Sequence, residues 1–269
     1  MGYGLPKEYC FEDRLEKRIQ AELDKVIKPD SIFRDVEVIN FGVNGYTTDQ
    51  VRATLEKKAL AYHPDILLHQ VCENDVHEFY TNIILEQSVT SNLNEHYFQI
   101  WHVNDSDPGR LNRFIQASDL LRWVSASSRN IKMKRIAVKM RKLKKQILRD
   151  QYDEAFQLYS NELLKTAQIA RLHGTYVLLI IPQWKEMKLK ERSLFSERTI
   201  AFATANDIPF YELLFDMIDI TDKLGIDRQE LHIAHEDIPE DTHLNIQGSD
   251  LAAELIKHHL YRIGSLPIN

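Results

Sequence analysis

Two short, almost wholly apolar runs constrain this chain more than anything else in it: Ile66-Leu67-Leu68-His69-Gln70-Val71 and Tyr176-Val177-Leu178-Leu179-Ile180-Ile181. A strand that is apolar without alternation is buried on both faces, which is the habit of parallel sheets covered by helices. Amphipathic stretches lie between and around these runs. Phe11, Leu15, Ile19 and Leu23 recur every four residues among charges, so residues 11–27 read as a helix. Val36-Glu37-Val38-Ile39-Asn40-Phe41 reads as a further strand, ending in the turn Gly42-Val43-Asn44-Gly45. Thr47-Thr48-Asp49-Gln50 then matches a capping box, and Val51, Leu55 and Leu60 carry a helix to about His63, where Pro64 stops it. Residues 131–149 and 151–173 read as helices, Ile208-Pro209-Phe210-Tyr211 as a short strand, and Gly248 to about Ile263 as the last helix. Residues 79–130 show no clean period and read as irregular with short helices. Strands joined by helical crossovers predict an α/β fold with a parallel sheet. In such sheets the working residues sit on loops at the carboxyl ends of strands. The loops 42–48 and 72–77, rich in Asn, Gly and Asp, are expected there.

Composition bounds the function classes. The 269 residues, 43% of them hydrophobic, suffice for one large core, and the net charge of −6 argues against a general nucleic-acid binder. No apolar run approaches the roughly 20 residues of a membrane span, and no signal peptide is legible at Met1. Only Cys10 and Cys72 are present, which makes neither a disulfide framework nor a zinc site. The default expectation for the chain as written is a reducing, cytoplasmic setting; its native compartment is not readable.

Three loops carry candidate chemistry. Asp241-Thr242-His243-Leu244-Asn245-Ile246-Gln247-Gly248 places a carboxylate two residues before a histidine. A histidine used as a general base needs such a group on its other ring nitrogen, although an ordinary polar loop before a helix has the same composition. Asn40-Phe41-Gly42-Val43-Asn44-Gly45 turns a strand end into a helix start, where free backbone N–H groups favour a developing negative charge. The plain alternative is a glycine turn. Cys72-Glu73-Asn74-Asp75 comes directly after a buried strand; the Asn74 amide can serve as an oxyanion donor there, or the stretch is a common Asx turn.

In their order and spacing these segments resemble the conserved blocks of the SGNH/GDSL hydrolase superfamily, which hydrolyses esters or moves acyl groups on lipids, carbohydrates and small molecules. The second block is matched by Asn40 to Gly45, the third (Gly-x-Asn-Asp) by Cys72 to Asp75, and the last by Asp241, His243, Asn245 and Gly248. The stretch Val38 to Asp75, with Tyr62-His63-Pro64-Asp65, is the closest part, and the likeness is poor from about 79 to 170. The resemblance implies a flavodoxin-like three-layer α/β/α fold, one domain over residues 1–269 with a helical or irregular insertion at about 79–150. It implies a Ser-His-Asp ester hydrolase or acyl transferase needing no metal or cofactor, with His243 the base, Asp241 its orienter, and Gly45 and Asn74 oxyanion donors. Cys72 departs from the glycine of the third block. Many relatives place the acid three residues before the histidine, where this chain has Glu240.

The larger departure is the first block. Neither Gly-Asp-Ser nor Gly-x-Ser-x-Gly occurs, and Gly248-Ser249-Asp250 stands after the histidine, at a helix start. Met1-Gly2-Tyr3-Gly4-Leu5-Pro6 resembles the residues immediately after the nucleophile in relatives, which implies a serine a few residues upstream of Met1 and an inactive chain as written.

Other features have ordinary readings beside functional ones. From Arg129 to Arg149 there are ten Lys or Arg and no acid, with Ile136, Met140, Leu143 and Ile147 on one helical face. Such a helix can lie on an anionic membrane surface, or form part of a cap with its charges solvated. His232-Ile233-Ala234-His235-Glu236 lacks the His-Glu-x-x-His spacing of a zinc site. His69, inside an apolar strand, reads as a satisfied core histidine. Besides the hydrolase, the chain can therefore be a binding protein that keeps the pocket without the chemistry, or a membrane-surface module using residues 129–149.

Overall fold

A computed structural model describes residues 6–26, 35–43, 46–76, 80, 150–233 and 243–266. The chain divides into two units, one of Met1–Asp75 with Ser160–Asn269 and one of Val76–Tyr159. The first contains a three-stranded parallel sheet: β1 (Ile66–Val71), β2 (Thr175–Ile180) and β3 (Phe210–Glu212), side by side in chain order. The pairing runs Ile66 to Val71 against Thr175 to Ile180, and Leu178 to Ile180 against Phe210 to Glu212. The fold is thus mixed α/β with a parallel sheet, as the two apolar runs require.

The helices are α1 (Phe11–Val26), α2 (Thr48–Lys57), α3 (Tyr152–Arg171), α4 (Trp184–Leu189), α5 (Leu194–Ala205), α6 (Leu214–Leu224) and α7 (Ile246–Arg262). The four-residue stripe Phe11, Leu15, Ile19 and Leu23 is buried and joins Val177 and Leu179 of β2, Tyr211 of β3, Met217 of α6 and Ile256 of α7 in one core. Successive strand residues face opposite sides, and Tyr176, Leu178 and Ile180 on the other face of β2 are equally buried. β2 is therefore covered on both faces. Where α1 crosses α7, Arg18 pairs with Asp250 at 2.7 Å and Lys257 with Glu22 at 3.3 Å. Burial pushes the Asp250 carboxyl up, but hydrogen bonds from Arg18 and Arg14 more than offset this and hold it below the usual carboxylate range.

Local signals place the element ends. Gln50 reaches back to the Thr47 N–H at 2.9 Å, completing the capping box of α2. A short 3-10 turn, Ala59–Tyr62, continues the chain to His63, left-handed at φ 50°, before Pro64. Gly174 leads into β2 beside Pro64, where an added Cβ would lie 2.5 Å from the Pro64 carbonyl oxygen.

The expected strand Val36 to Phe41 is not one. It is extended chain with no strand partner among the described residues, and it runs along α1 instead. The Val36 N–H donates to Gln20 Oε1 at 2.8 Å, the Val38 N–H to Glu16 Oε2 at 2.7 Å, and Asn40 Nδ2 to Glu12 Oε1 at 3.0 Å. The spacings match: four helical residues rise about 6 Å, and two extended residues about 6.6 Å. Acceptors at 12, 16 and 20 thus meet donors at 40, 38 and 36. The helix supplies what a neighbouring strand would otherwise supply. Helices α4, α5 and α6 lie beyond the elements that the sequence pattern predicts, though Ser193 accepts from the Ser196 N–H as the N-cap of α5 and Gly225, at φ 67°, closes α6. The basic run 129–149 and the insertion expected at about 79–150 lie outside the described residues, apart from Tyr80 and Asp150.

His69 bears out its expected role. It is buried, and its Nδ1 lies 2.7 Å from the Tyr176 hydroxyl across the β1–β2 pair. Burial lowers its pKa to about 4 from an ordinary 6.5. The neutral ring is the form the fold accepts, so its contribution is present above pH 6.5 and lost as pH falls through 4. Urea unfolding of the native chain should lose about 3 kcal/mol between pH 6.5 and 4 from this group. His69→Leu should flatten that part of the pH profile; an unchanged slope in the variant would assign the loss to other groups.

Candidate functional site

Asn74 lies three residues past the carboxyl end of β1. The chain does not make a bare Asx turn there but starts a helical turn at residues 73–76. Asp75 closes it by accepting from the Cys72 N–H at 2.9 Å, while the Asp75 N–H donates to the Cys72 carbonyl at 3.1 Å. The Cys72 thiol donates to the side-chain carbonyl of Asn74, which turns the NH2 end of the amide away from the thiol. Cys72 thus orients the Asn74 amide. Asn74 is exposed at this end of the sheet.

His243 is half-buried and held by its backbone. Its carbonyl accepts from the Ile233 N–H at 2.9 Å, the Asn245 N–H donates to the Leu231 carbonyl at 2.9 Å, and His232 bridges Leu244 in antiparallel fashion. Residues 231–233 and 243–245 thereby form a two-stranded ribbon leading into α7. His232 packs against Trp184 with ring centroids 5.5 Å apart and the planes tilted by 59°, and Trp184 opens α4 just beyond the carboxyl end of β2. The His243 ribbon and Asn74 are therefore both anchored beyond carboxyl ends of neighbouring parallel strands, on separate loops.

Two residues of the last block have legible local reasons. Asn245 is the N-cap of α7: its Oδ1 accepts from the N–H groups of Gln247 and Gly248 at 2.9 and 3.0 Å, and its Nδ2 donates to the carbonyls of Glu230 and His232. One side chain so starts the helix and ties the ribbon. Gly248 is required by close approach, since a Cβ there would fall 2.2 Å from the Leu231 carbonyl oxygen.

Gly45 and Asp241, and the fallback Glu240, lie outside the described residues. The loop 42–48 does not come after a strand of the sheet, because the stretch before it lies along α1. Near that loop the Gly42 N–H donates to Asn40 Oδ1 at 2.7 Å, and Phe41 packs against Tyr62 with ring centroids 5.5 Å apart. A shallow pocket of about 200 Å³ beside α2, lined by Tyr46, Gln50, Ala53, Thr54, Lys57 and Lys58, contains none of the candidate residues. Among the described residues no group of His, Cys, Asp and Glu is arranged to hold a metal ion, and no helix is long and apolar enough to cross a membrane.

Sequence reasoning missed Trp184 and His232 as neighbours of the candidate base. The only signal was the proximity of His232 to the last block, and nothing local ties it to a tryptophan 48 positions earlier in the chain.

No protein-family model, no curated protein and no solved structure matches the chain.

The ribbon's geometry sets a stability test. Gly→Ala inside a helix ordinarily stabilises by about 1 kcal/mol. Gly248→Ala should instead destabilise by about 2 kcal/mol or more, because the Leu231 carbonyl must move. Asn245→Ala should cost about 1–2 kcal/mol from the lost cap. In a double-mutant cycle the two effects should be non-additive, because the Asn245 side chain holds the carbonyls on either side of Leu231 and the Gly248 N–H itself; additive losses in denaturant melts would show them to be independent.

Proposed function

We propose that this chain carries the histidine end of an SGNH/GDSL-type ester hydrolase or acyl-ester transferase with a flavodoxin-like three-layer α/β/α fold. The reading is supported above all by one observation: Asn74 follows the carboxyl end of β1, and the ribbon that carries His243 is tied through the His232–Trp184 ring contact to the segment just past the carboxyl end of the neighbouring strand β2. Ligand sites in open α/β sheets lie at that end. The strand arrangement supports it too. In the flavodoxin-like order 2-1-3-4-5 the last three strands stand side by side in chain order, as β1, β2 and β3 do. The extended stretch 36–41 lies along α1 and is not a counterpart of that order's second strand, and no Gly-Asp-Ser occurs in these 269 residues.

In this mechanism a serine hydroxyl attacks the acyl carbonyl and His243 takes its proton. Asp241 holds the imidazole in the required tautomer. The Gly45 N–H and the Asn74 amide donate to the oxyanion that forms. The proton then passes from His243 to the leaving alcohol, and water or a second alcohol completes the cycle. The acyl and alcohol groups belong to a small-molecule, lipid or carbohydrate ester. No metal or organic cofactor takes part.

The 269-residue polypeptide should hydrolyse short-chain nitrophenyl esters no faster than its His243→Ala variant and should not be labelled by a fluorophosphonate. Fusing a short apolar strand ending in Gly-Asp-Ser to Met1 should create labelling and turnover. That turnover should fall about 10³-fold or more on His243→Ala. A folded fusion whose activity ignores His243 would overturn the reading, as would strong phosphonate-sensitive turnover by the unfused chain.

A further inference from the structure

The base of a hydrolase has to be held to within a fraction of an ångström, and a loop histidine is not held by its own residue. The described residues supply a continuous chain of contacts from the sheet to His243. It begins at the carboxyl end of β2, where buried Glu186 fixes the start of α4. Its carboxylate accepts from the Gln183 N–H at 2.8 Å, the Ser193 N–H at 2.8 Å and the Ser196 hydroxyl at 2.6 Å. Trp184, one residue past Gln183, is thereby presented from a rigid helix start and packs against the core. On it lies His232, only 5% exposed, with its Nδ1 3.3 Å from the Arg228 carbonyl oxygen. His232 stands opposite Leu244, and the hydrogen bonds of Ile233 and Asn245 bracket His243 on that same ribbon.

The geometry points to Trp184 and His232 as positioning residues for His243: their ring contact sets the place of the 231–233 strand of the ribbon, and through it the backbone from which the imidazole projects. Neither residue touches the reacting atoms. The contact does what no cap could do, because Asn245 and Gly248 join the ribbon to α7, whereas Trp184 joins it to the sheet. Aromatic contacts of this kind stabilise beyond the apolar area they bury. Because the inference builds on His243 as the base, its test reads the imidazole and the ribbon directly, without turnover. Failure of the hydrolase reading would leave those signals intact, and failure here would leave the ester-turnover test of the fusion intact.

The measurement is NMR on the native chain and on Trp184→Ala, Trp184→Phe and His232→Ala. The His243 ring resonances and the exchange rates of the Ile233 and Asn245 amides are monitored, with the ring of His258 on the outer side of α7 as internal control. In Trp184→Ala and in His232→Ala the His243 ring signal should shift and broaden. The two amides should exchange about tenfold faster, while His258 stays unchanged. Trp184→Phe, which keeps an aromatic face, should restore the native His243 signal. A general loss of packing would move His258 as well and would not be rescued by phenylalanine. If Trp184→Ala is not folded, His232→Ala carries the same readout. A folded alanine variant with the native His243 signal and native amide exchange would overturn the inference, as would failure of phenylalanine to restore the signal.

Discussion

β2 is buried on both faces and hydrogen-bonded on both edges, and the other elements of the sheet-bearing unit are arranged around that condition. Every backbone N–H and C=O removed from water must find a partner, so β1 and β3 must lie alongside. Every side chain from Tyr176 to Ile180 is buried, so both faces must be covered by apolar surface. The stripe of α1, the buried face of α7 and the start of α6 meet this on the Val177 and Leu179 side. The polar pair His69 and Tyr176 is admitted on the opposite side only because each side chain satisfies the other. A parallel strand also delivers all its neighbours' carboxyl ends to one edge of the sheet, which is why Cys72 to Asp75 and the start of α4 come out at the same end.

The stretch 36–41 shows the same requirement met differently. Its composition is that of a strand, and it is extended, but its donors are taken by Glu12, Glu16 and Gln20 rather than by another strand. The near-equality of four helical rises and two extended rises makes α1 an acceptable partner. The polar side chains of α1 therefore have a second role beyond facing solvent: Gln20 and Glu16 accept from the backbone of Val36 and Val38, and Glu12 from the side chain of Asn40.

Around His243 the residue types of the last block have physical reasons that stand apart from any catalytic role. Asparagine at 245 caps a helix and ties a ribbon with one side chain. Glycine at 248 is where the helix passes the Leu231 carbonyl too closely for a methyl group. Cysteine at 72 hydrogen-bonds the side chain of Asn74 and so orients that amide. A likeness built on these positions is in part a likeness of how such loops are braced.

The sequence by itself determined what depends on neighbours along the chain. The period of α1, the capping box at Thr47, the stop at Pro64, the apolar runs of β1 and β2, the helix of α7 and the inward place of His69 are all read from residues within a turn or two of one another. Only the tertiary structure decided what depends on partners elsewhere. An extended segment such as Val36 to Phe41 becomes a strand or a strap according to which acceptors lie beside it, and those are 16 to 28 positions away. The six residues of α4 and the weakly periodic α5 offer little to read locally, whereas α6 buries a helical stripe of Leu214, Met217, Ile218 and Thr221. The meeting of Trp184 with His232, and through it the placing of His243, belongs to packing between segments that are distant in sequence, where local propensity carries no information.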